Sequence, residues 1–188
     1  MDHFYKNSEF GEDWFTFPHF YSELVQALDN DSHIVEVGSW KGKSAAFLAV
    51  EILNSGKKIK FDCVDTWLGS PNEQGHQDDP LVKQDQLYDL FLKNIEPVKH
   101  IITPIRNTSV EASKLYNDNS LDVVFIDACH DYECVRDDIK AWLPKIKPNS
   151  IICGHDITWP SVLKAIREAF GDKLLLNYNE SVWLYKKE

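Results

Sequence analysis

Five times along this chain of 188 residues a short apolar run is followed by a stretch with helical spacing. The apolar runs fall at 33–37, 59–64, 100–105, 121–126 and 151–154. The helical stretches fall at 43–53, 81–95, 109–116, 134–143 and 161–170. Runs that are apolar throughout need cover on both faces. Alternation with helices supplies it in a parallel sheet that has helices on each side. Two last runs, 174–177 and 182–185, flank Asn179 and Glu180 and read as a hairpin that adds antiparallel pairing at one edge. Pro18 opens an earlier helix with Phe20, Leu24, Val25 and Leu28 on one face, preceded by an arm crowded with Phe4, Tyr5, Phe10, Trp14, Phe15 and Phe17. The expected organisation is therefore an aromatic arm and covering helix over 1–30 and one α/β domain over 31–188. Residues 68–80, with Gly69, Pro71, Gly75 and Pro80, read as a polar loop.

A chain of this length suits one domain. Its formal net charge of −10 argues against a general nucleic-acid binder, because affinity for phosphates needs cations. The lysine clusters at 57, 58 and 60 and at 140, 145 and 147 read as solvated surface. No apolar run approaches the ~20 residues of a membrane span, and the first residues lack the basic start and apolar stretch of a signal peptide. Cys63, Cys129, Cys134 and Cys153 form no CxxC pair and read as reduced thiols, so the expectation is a cytoplasmic protein with no membrane partner. Cys129, His130 and Cys134 lack a second paired knuckle, which argues against a structural zinc site.

In an open α/β sheet, ligands bind outside the carboxyl ends of the strands. The first run leads into Glu36-Val37-Gly38-Ser39-Trp40-Lys41-Gly42-Lys43-Ser44, where two glycines allow a sharp turn before a helix N-terminus. Three residues separate Gly38 from Gly42-Lys43-Ser44, one fewer than a P-loop needs, and Glu36 would repel a triphosphate. The spacing also fails the GxGxxG dinucleotide pattern. An acidic residue before a wide glycine loop suits a ligand with a cationic or amine-bearing part. The second run ends Asp65-Thr66-Trp67, and an acidic residue there can accept ribose hydroxyls. The fourth run ends Asp127-Ala128-Cys129-His130 and the fifth Gly154-His155-Asp156, so carboxylates and imidazoles aim at one crevice. Oxygen ligands with an imidazole could hold Mg²⁺ or a transition ion, and His130 could serve as a general base.

In combination these motifs make the chain resemble class I S-adenosylmethionine-dependent methyltransferases over about residues 14–188. The narrower likeness is to macrocin-type sugar O-methyltransferases, with catechol O-methyltransferase more distant. The resemblance implies a Rossmann-like fold with a seven-stranded, mostly parallel sheet and a C-terminal antiparallel hairpin. It implies that the loop from Gly38 through Ser39 and Trp40 to Gly42, with Ser44 beyond it, wraps the methionine part of the cofactor, supported by Glu36 near the cofactor amine. Asp65 would bind the ribose, with Thr66 and Trp67 beside it, and Thr108 and Ser109 would flank the adenine. Asn107 stands where relatives often carry Gly. Asp127 would touch the cofactor site and would also be the first metal ligand, with His155 and Asp156 completing the set. His155 departs from the carboxylate or amide that relatives often use. His130 would be the catalytic base, with Asp127 the second catalytic residue.

The expected activity is O-methylation of a small hydroxylated acceptor, a sugar or a secondary metabolite, assisted by Mg²⁺ or another divalent cation. Asp127-Ala128-Cys129-His130 is not the Asn/Asp-Pro-Pro-aromatic run of adenine amino-methyltransferases, and no Pro-Cys nucleophile of cytosine-C5 enzymes occurs. The alternative is a module that binds S-adenosylmethionine without catalysing. The apolar arm offers a contact for a homodimer.

Overall fold

The computed structural model describes residues 1–11 and 14–188. In chain order its regular elements are helix α1 (Pro18–Ala27), strand β1 (His33–Val37), α2 (Lys43–Ser55), β2 (Lys60–Asp65), α3 (Gln74–Asp78), α4 (Pro80–Lys83), α5 (Leu87–Asn94), β3 (Ile102–Arg106), α6 (Ser109–Ser113), β4 (Leu121–Ile126), α7 (Tyr132–Trp142), β5 (Ile146–Gly154), α8 (Pro160–Phe170), β6 (Leu175–Asn177) and β7 (Val182–Lys186). The strands form one sheet in the order β3-β2-β1-β4-β5-β7-β6. The β1–β5 pairings are parallel, and β7 runs antiparallel to both β5 and β6. The expected fold is the one observed.

Two apolar layers sandwich the sheet. Tyr21, Leu48, Phe61, Phe91 and Phe125 join α1, α2 and α5 to one face, while Val124, Trp142, Ile166, Phe170 and Trp183 join α7 and α8 to the other. The aromatic arm packs on its own chain: Phe10, Phe15 and Phe17 are buried, Phe15 lies 5.2 Å from Phe47, and His3 stacks on Phe47 at 4.2 Å. These rings therefore enlarge the core over α2. No helix among the described residues is long and apolar enough to cross a membrane.

Element limits differ where polar chemistry hides them. The helix expected over 81–95 is two helices, because Asp85 adopts a left-handed backbone (φ 55°) and the Gln86 N–H turns back to Leu81 O at 2.8 Å. The polar loop contains the short α3. The strand expected over 151–154 begins at Ile146, which pairs with Leu121, and an irregularity in the β4 register separates the two halves of the pairing. The intervening Pro148 and Asn149 are exposed, so no apolar pattern marks the first half.

Candidate active site

The crevice lies where β1 sits between β2 and β4, the point at which the strand order reverses, and the loops after β1, β2, β4 and β5 meet there. Trp40, Trp67 and Asp156, each just beyond a strand end, all have positive φ. Such backbone strain concentrates at functional sites.

The loop after β1 is held from behind. Gly38 has φ 92°, and a Cβ there would lie 2.0 Å from the Asp127 carbonyl oxygen, so only glycine lets the β1 and β4 loops touch. Glu36 is fully buried. It accepts hydrogen bonds from the Tyr21 hydroxyl at 2.7 Å and the Ser39 hydroxyl at 2.8 Å. Burial pushes the Glu36 carboxyl up to about 7, against the lowering effect of its hydroxyl donors, Ser44 included. Asp65 accepts from the Ser39 and Trp40 amides at 2.9 and 2.8 Å through Oδ2, and from the Trp67 amide at 2.8 Å through Oδ1. Burial raises its pKa, while these amide donors pull the other way. Trp67 is buried among Tyr88 and Phe91 and donates Nε1–H to the Trp40 carbonyl at 2.9 Å. Glu36, Trp67 and Gly42 thus stand behind the wall and brace it, and none of the three lines either of the two cavities beside the loop.

Two cavities flank this loop. One, of about 400 Å³, is lined by Val37, Gly38, Asp65, Thr66, Asn107, Thr108, Ser109 and Asp127, with Cys129, Cys134 and Asp138 on its far side. The other, of about 480 Å³, is lined by Ser39, Trp40, Ser44, Asp127, His130, His155 and Asp156, with arm residues Phe10, Trp14, Phe15, Thr16 and Phe17 opposite. Gly38, Trp40, His76, Asp127 and Ala128 line both.

The second cavity holds a dense charge cluster. His130 Nε2 lies 2.7 Å from Asp156 Oδ2, and its Nδ1 lies 2.7 Å from Glu73 Oε1. Trp159 stacks on the imidazole at 4.7 Å. His155 points Nδ1 at Asp156 Oδ2 (3.2 Å) and Asp127 Oδ1 (3.5 Å), with Nε2 2.8 Å from the Thr16 hydroxyl. Burial pulls both imidazoles down, but the carboxylates outweigh it. His130 is raised to about 9 by Asp156, Glu73 and Asp127, and His155 to about 10 by Asp127 and Asp156. Burial opposes the charge on Asp156, yet hydrogen bonds from His130 and His155 hold it well below the usual carboxylate range. The ligand atoms of Asp127, His130 and Asp156 lie within 4.8 Å of one another, a donor set of two oxygens and a nitrogen.

Three members of this arrangement carried no motif. Glu73 lies in the stretch read as a polar loop, which is held over the crevice by the Lys41–Asp79 ion pair (2.9 Å), by the Asn72 amide on Asp131 and by His76 stacked on Trp40 at 4.4 Å. Tyr21 and Thr16 belong to segments whose aromatic content reads as core.

A family model described as a methyltransferase domain matches residues 35–157. The chain belongs to that family. The matched span begins in β1 and ends just past Asp156, so it contains every strand end that lines the crevice. Among solved structures, the O-methyltransferase NovP superposes with a TM-score of 0.64 at 16% identity, over 90% of this chain and 78% of that one. The calicheamicin methyltransferase CalS11 gives 0.62 at 16% identity, over 89% and 76%. An O-methyltransferase from Bacillus cereus, solved in complex with SAH, gives 0.59 at 18% identity, over 94% and 83%. These share the methyltransferase fold. The uncharacterised protein y4gI of Sinorhizobium fredii (strain NBRC 101917 / NGR234) is 26% identical over 133 residues, which make up 71% of this chain but 14% of that protein.

Within the methyltransferase domain the residues fall into two groups by position. Ser39, Trp40, Ser44, Asp65, Thr66, Thr108, Ser109 and Asp127 face the cavities. Thr108 also caps α6 by accepting from the Glu111 amide. Asp127, His130, His155 and Asp156 come together as one cluster, with His130 beside the two carboxylates and His155 reaching the same carboxylates from the Thr16 side.

Proposed function

We propose that this methyltransferase transfers the methyl group of S-adenosylmethionine to an oxygen of a small hydroxylated acceptor. The supporting observation is the Asp127–His130–Asp156 cluster in the larger cavity, joined to the smaller cavity through Gly38 and Asp127, which line both. In this reading the smaller cavity takes the adenosine, with the ribose beside Asp65 and Thr66 and the adenine beside Asn107, Thr108 and Ser109. The methionine part crosses Gly38 toward Ser39 and Ser44. The sulfonium then faces the larger cavity, where the aromatic arm and Trp159 hold the acceptor and exclude water. Alignment of oxygen, methyl carbon and sulfur is the chain's main contribution. The oxygen attacks the methyl carbon, the carbon–sulfur bond breaks, and the acceptor proton passes to a base.

The carboxylates of Asp127 and Asp156 would hold a divalent cation such as Mg²⁺ or Mn²⁺, with the His130 ring beside them. Such an ion supplies charge that lowers the pKa of a nearby hydroxyl. His130 is the base nearest the acceptor space. In the cluster without a cation it is protonated at neutral pH, so its proton must first be released. Glu73 on Nδ1 and Asp156 on Nε2 fix the ring that takes part in that exchange.

Calorimetric titration with S-adenosylhomocysteine, followed by turnover assays on catechols, sugars and polyketide alcohols with and without Mg²⁺, tests the reading. Binding of the nucleoside with methylation of at least one alcohol class supports it. Absence of any S-adenosylhomocysteine binding overturns it. Binding with no alcohol turned over, while an amine or thiol panel is, overturns the oxygen assignment.

A further inference from the structure

The smaller cavity has a feature that methyl transfer does not use. Cys129, on the loop leaving β4, and Cys134, in the first turn of α7, both line it, and their sulfurs lie within 4.8 Å of each other. Asp131, the residue before α7, joins them: one ligand atom from each of Cys129, Asp131 and Cys134 lies within 4.8 Å of the others. Both cysteines are free and half-buried.

We propose that Cys129, Asp131 and Cys134 bind a thiophilic divalent cation, of the Zn²⁺ class, on the wall of the nucleoside cavity, and that the cation and the cofactor's nucleoside exclude each other. Tetrahedral zinc with sulfur ligands at ~2.3 Å needs those ligands about 3.8 Å apart, so the cluster closes on an ion with shifts of about an ångström or less. On binding, each thiol loses its proton to solvent and both sulfurs coordinate as thiolates. Asp131 supplies a carboxylate already steadied from outside, since the Asn72 side-chain amide donates to its Oδ2 at 2.5 Å. Ligands held by outer hydrogen bonds in this way keep their orientation. Cys129 and Cys134 line the cavity, so an ion held on their sulfurs would stand at its wall. His130, which neighbours Cys129 in the chain, is not part of this set, because both its nitrogens face Glu73 and Asp156.

Ligand softness separates the two clusters. Two sulfurs and one oxygen select Zn²⁺, Cd²⁺ or Co²⁺ over Mg²⁺, whereas Asp127, Asp156 and His130 present no sulfur. The exclusion half of the proposal rests on the smaller cavity being the nucleoside site. The metal half does not.

The test uses the full chain, metal-free and kept reduced with a phosphine, titrated with Co²⁺ and followed by absorbance. Thiolate–cobalt coordination gives a near-ultraviolet charge-transfer band, which the sulfur-free cluster cannot produce. The expected result is a band that saturates at one equivalent and disappears in both Cys129→Ser and Cys134→Ser, with circular dichroism showing each variant folded. Absence of the band in the wild type overturns the site, as does a band of undiminished strength in both variants. Zn²⁺ at one equivalent should then weaken S-adenosylhomocysteine binding at least tenfold in the wild type and leave it unchanged in Cys134→Ser. A band with unaltered nucleoside affinity overturns the exclusion. A band in a protein that binds no nucleoside overturns the cofactor reading and upholds the metal site.

Discussion

The two halves of the crevice treat their carboxylates in opposite ways. On the β1–β2 side, Glu36 accepts from hydroxyls and Asp65 from backbone amides, and burial dominates, so both are raised. On the β4–β5 side, Asp156 meets two imidazoles, so it is lowered while His130 and His155 are raised. The first half is a shaped wall whose acids brace a loop. The second is a charged cluster whose acids and bases hold one another by hydrogen bonds, and on the proposed function it exchanges a proton or an ion. A group that braces should affect binding and stability when removed, and a group that exchanges should affect turnover.

The largest expected effect is on the charged side. His130→Ala should lower kcat by about 10²–10⁴-fold, the usual worth of general-base catalysis, and leave S-adenosylhomocysteine affinity nearly unchanged. In the wild type without a cation, turnover should climb as pH rises through about 9, where the raised His130 gives up its proton. Added Mg²⁺ should move that limb downward, because a cation on Asp127 and Asp156 repels the proton. A rate profile in His130→Ala identical to the wild type would remove the residue from the chemistry.

On the wall side, Asp65→Ala should weaken S-adenosylhomocysteine binding by ~1.5–3 kcal/mol, the scale of lost charge-assisted hydrogen bonds. Part of that loss comes from the Ser39, Trp40 and Trp67 amides that it leaves without an acceptor. Unchanged affinity in a folded variant would show that the wall does not depend on its acid.

Glu73→Gln crosses between the halves. It keeps the shape but removes the charge that holds His130 Nδ1, and outer partners of this kind are worth roughly 10–100-fold. We place it at the lower end, about tenfold in kcat with little change in cofactor affinity, since Asp156 still holds Nε2.

The smallest effect is on stability. Asp138, at the far side of the smaller cavity, is buried and pushed up to about 7 by burial, against the opposing Ser109 hydrogen bond. A carboxyl raised in the folded state favours folding most below its unfolded value near 4. That advantage is lost as pH rises to about 7, leaving a constant deficit above. Asp138→Asn should therefore raise stability by about 1–2 kcal/mol at pH 8 and by almost nothing at pH 4, read as melting temperature against pH. The deficit is discounted from the full linkage value because a charged Asp138 can draw in water. A pH-independent gain would assign the effect to packing.

The sheet was legible because its runs are apolar throughout and its turns carry Gly, Pro and Asn. The charged half was legible for a similar reason: Asp127, His130, His155 and Asp156 sit directly at strand ends, where chain position and spatial position coincide. Glu73, Thr16 and Tyr21 were not. Each reaches the site from far away in sequence, Thr16 across 139 positions to His155 and Glu73 across 57 to His130. The places of Glu36, Asp65 and Trp67 at the ends of the first two strands were legible. Their roles as braces became visible only once the Ser39 and Trp40 amides and the Tyr21 hydroxyl were in place around them.

The central claim is that a nucleoside wall and a charged reaction cluster lie on either side of the β1 loop. A crystal structure with S-adenosylhomocysteine and Mg²⁺ bound tests it most directly. Adenosine should lie in the cavity beside Asp65, Thr66 and Thr108, with the sulfur emerging past Gly38 toward Asp127 and His130. Adenosine found among Phe10, Trp14 and Trp159 instead, or a sulfur directed away from the Asp127–His130–Asp156 cluster, would contradict it.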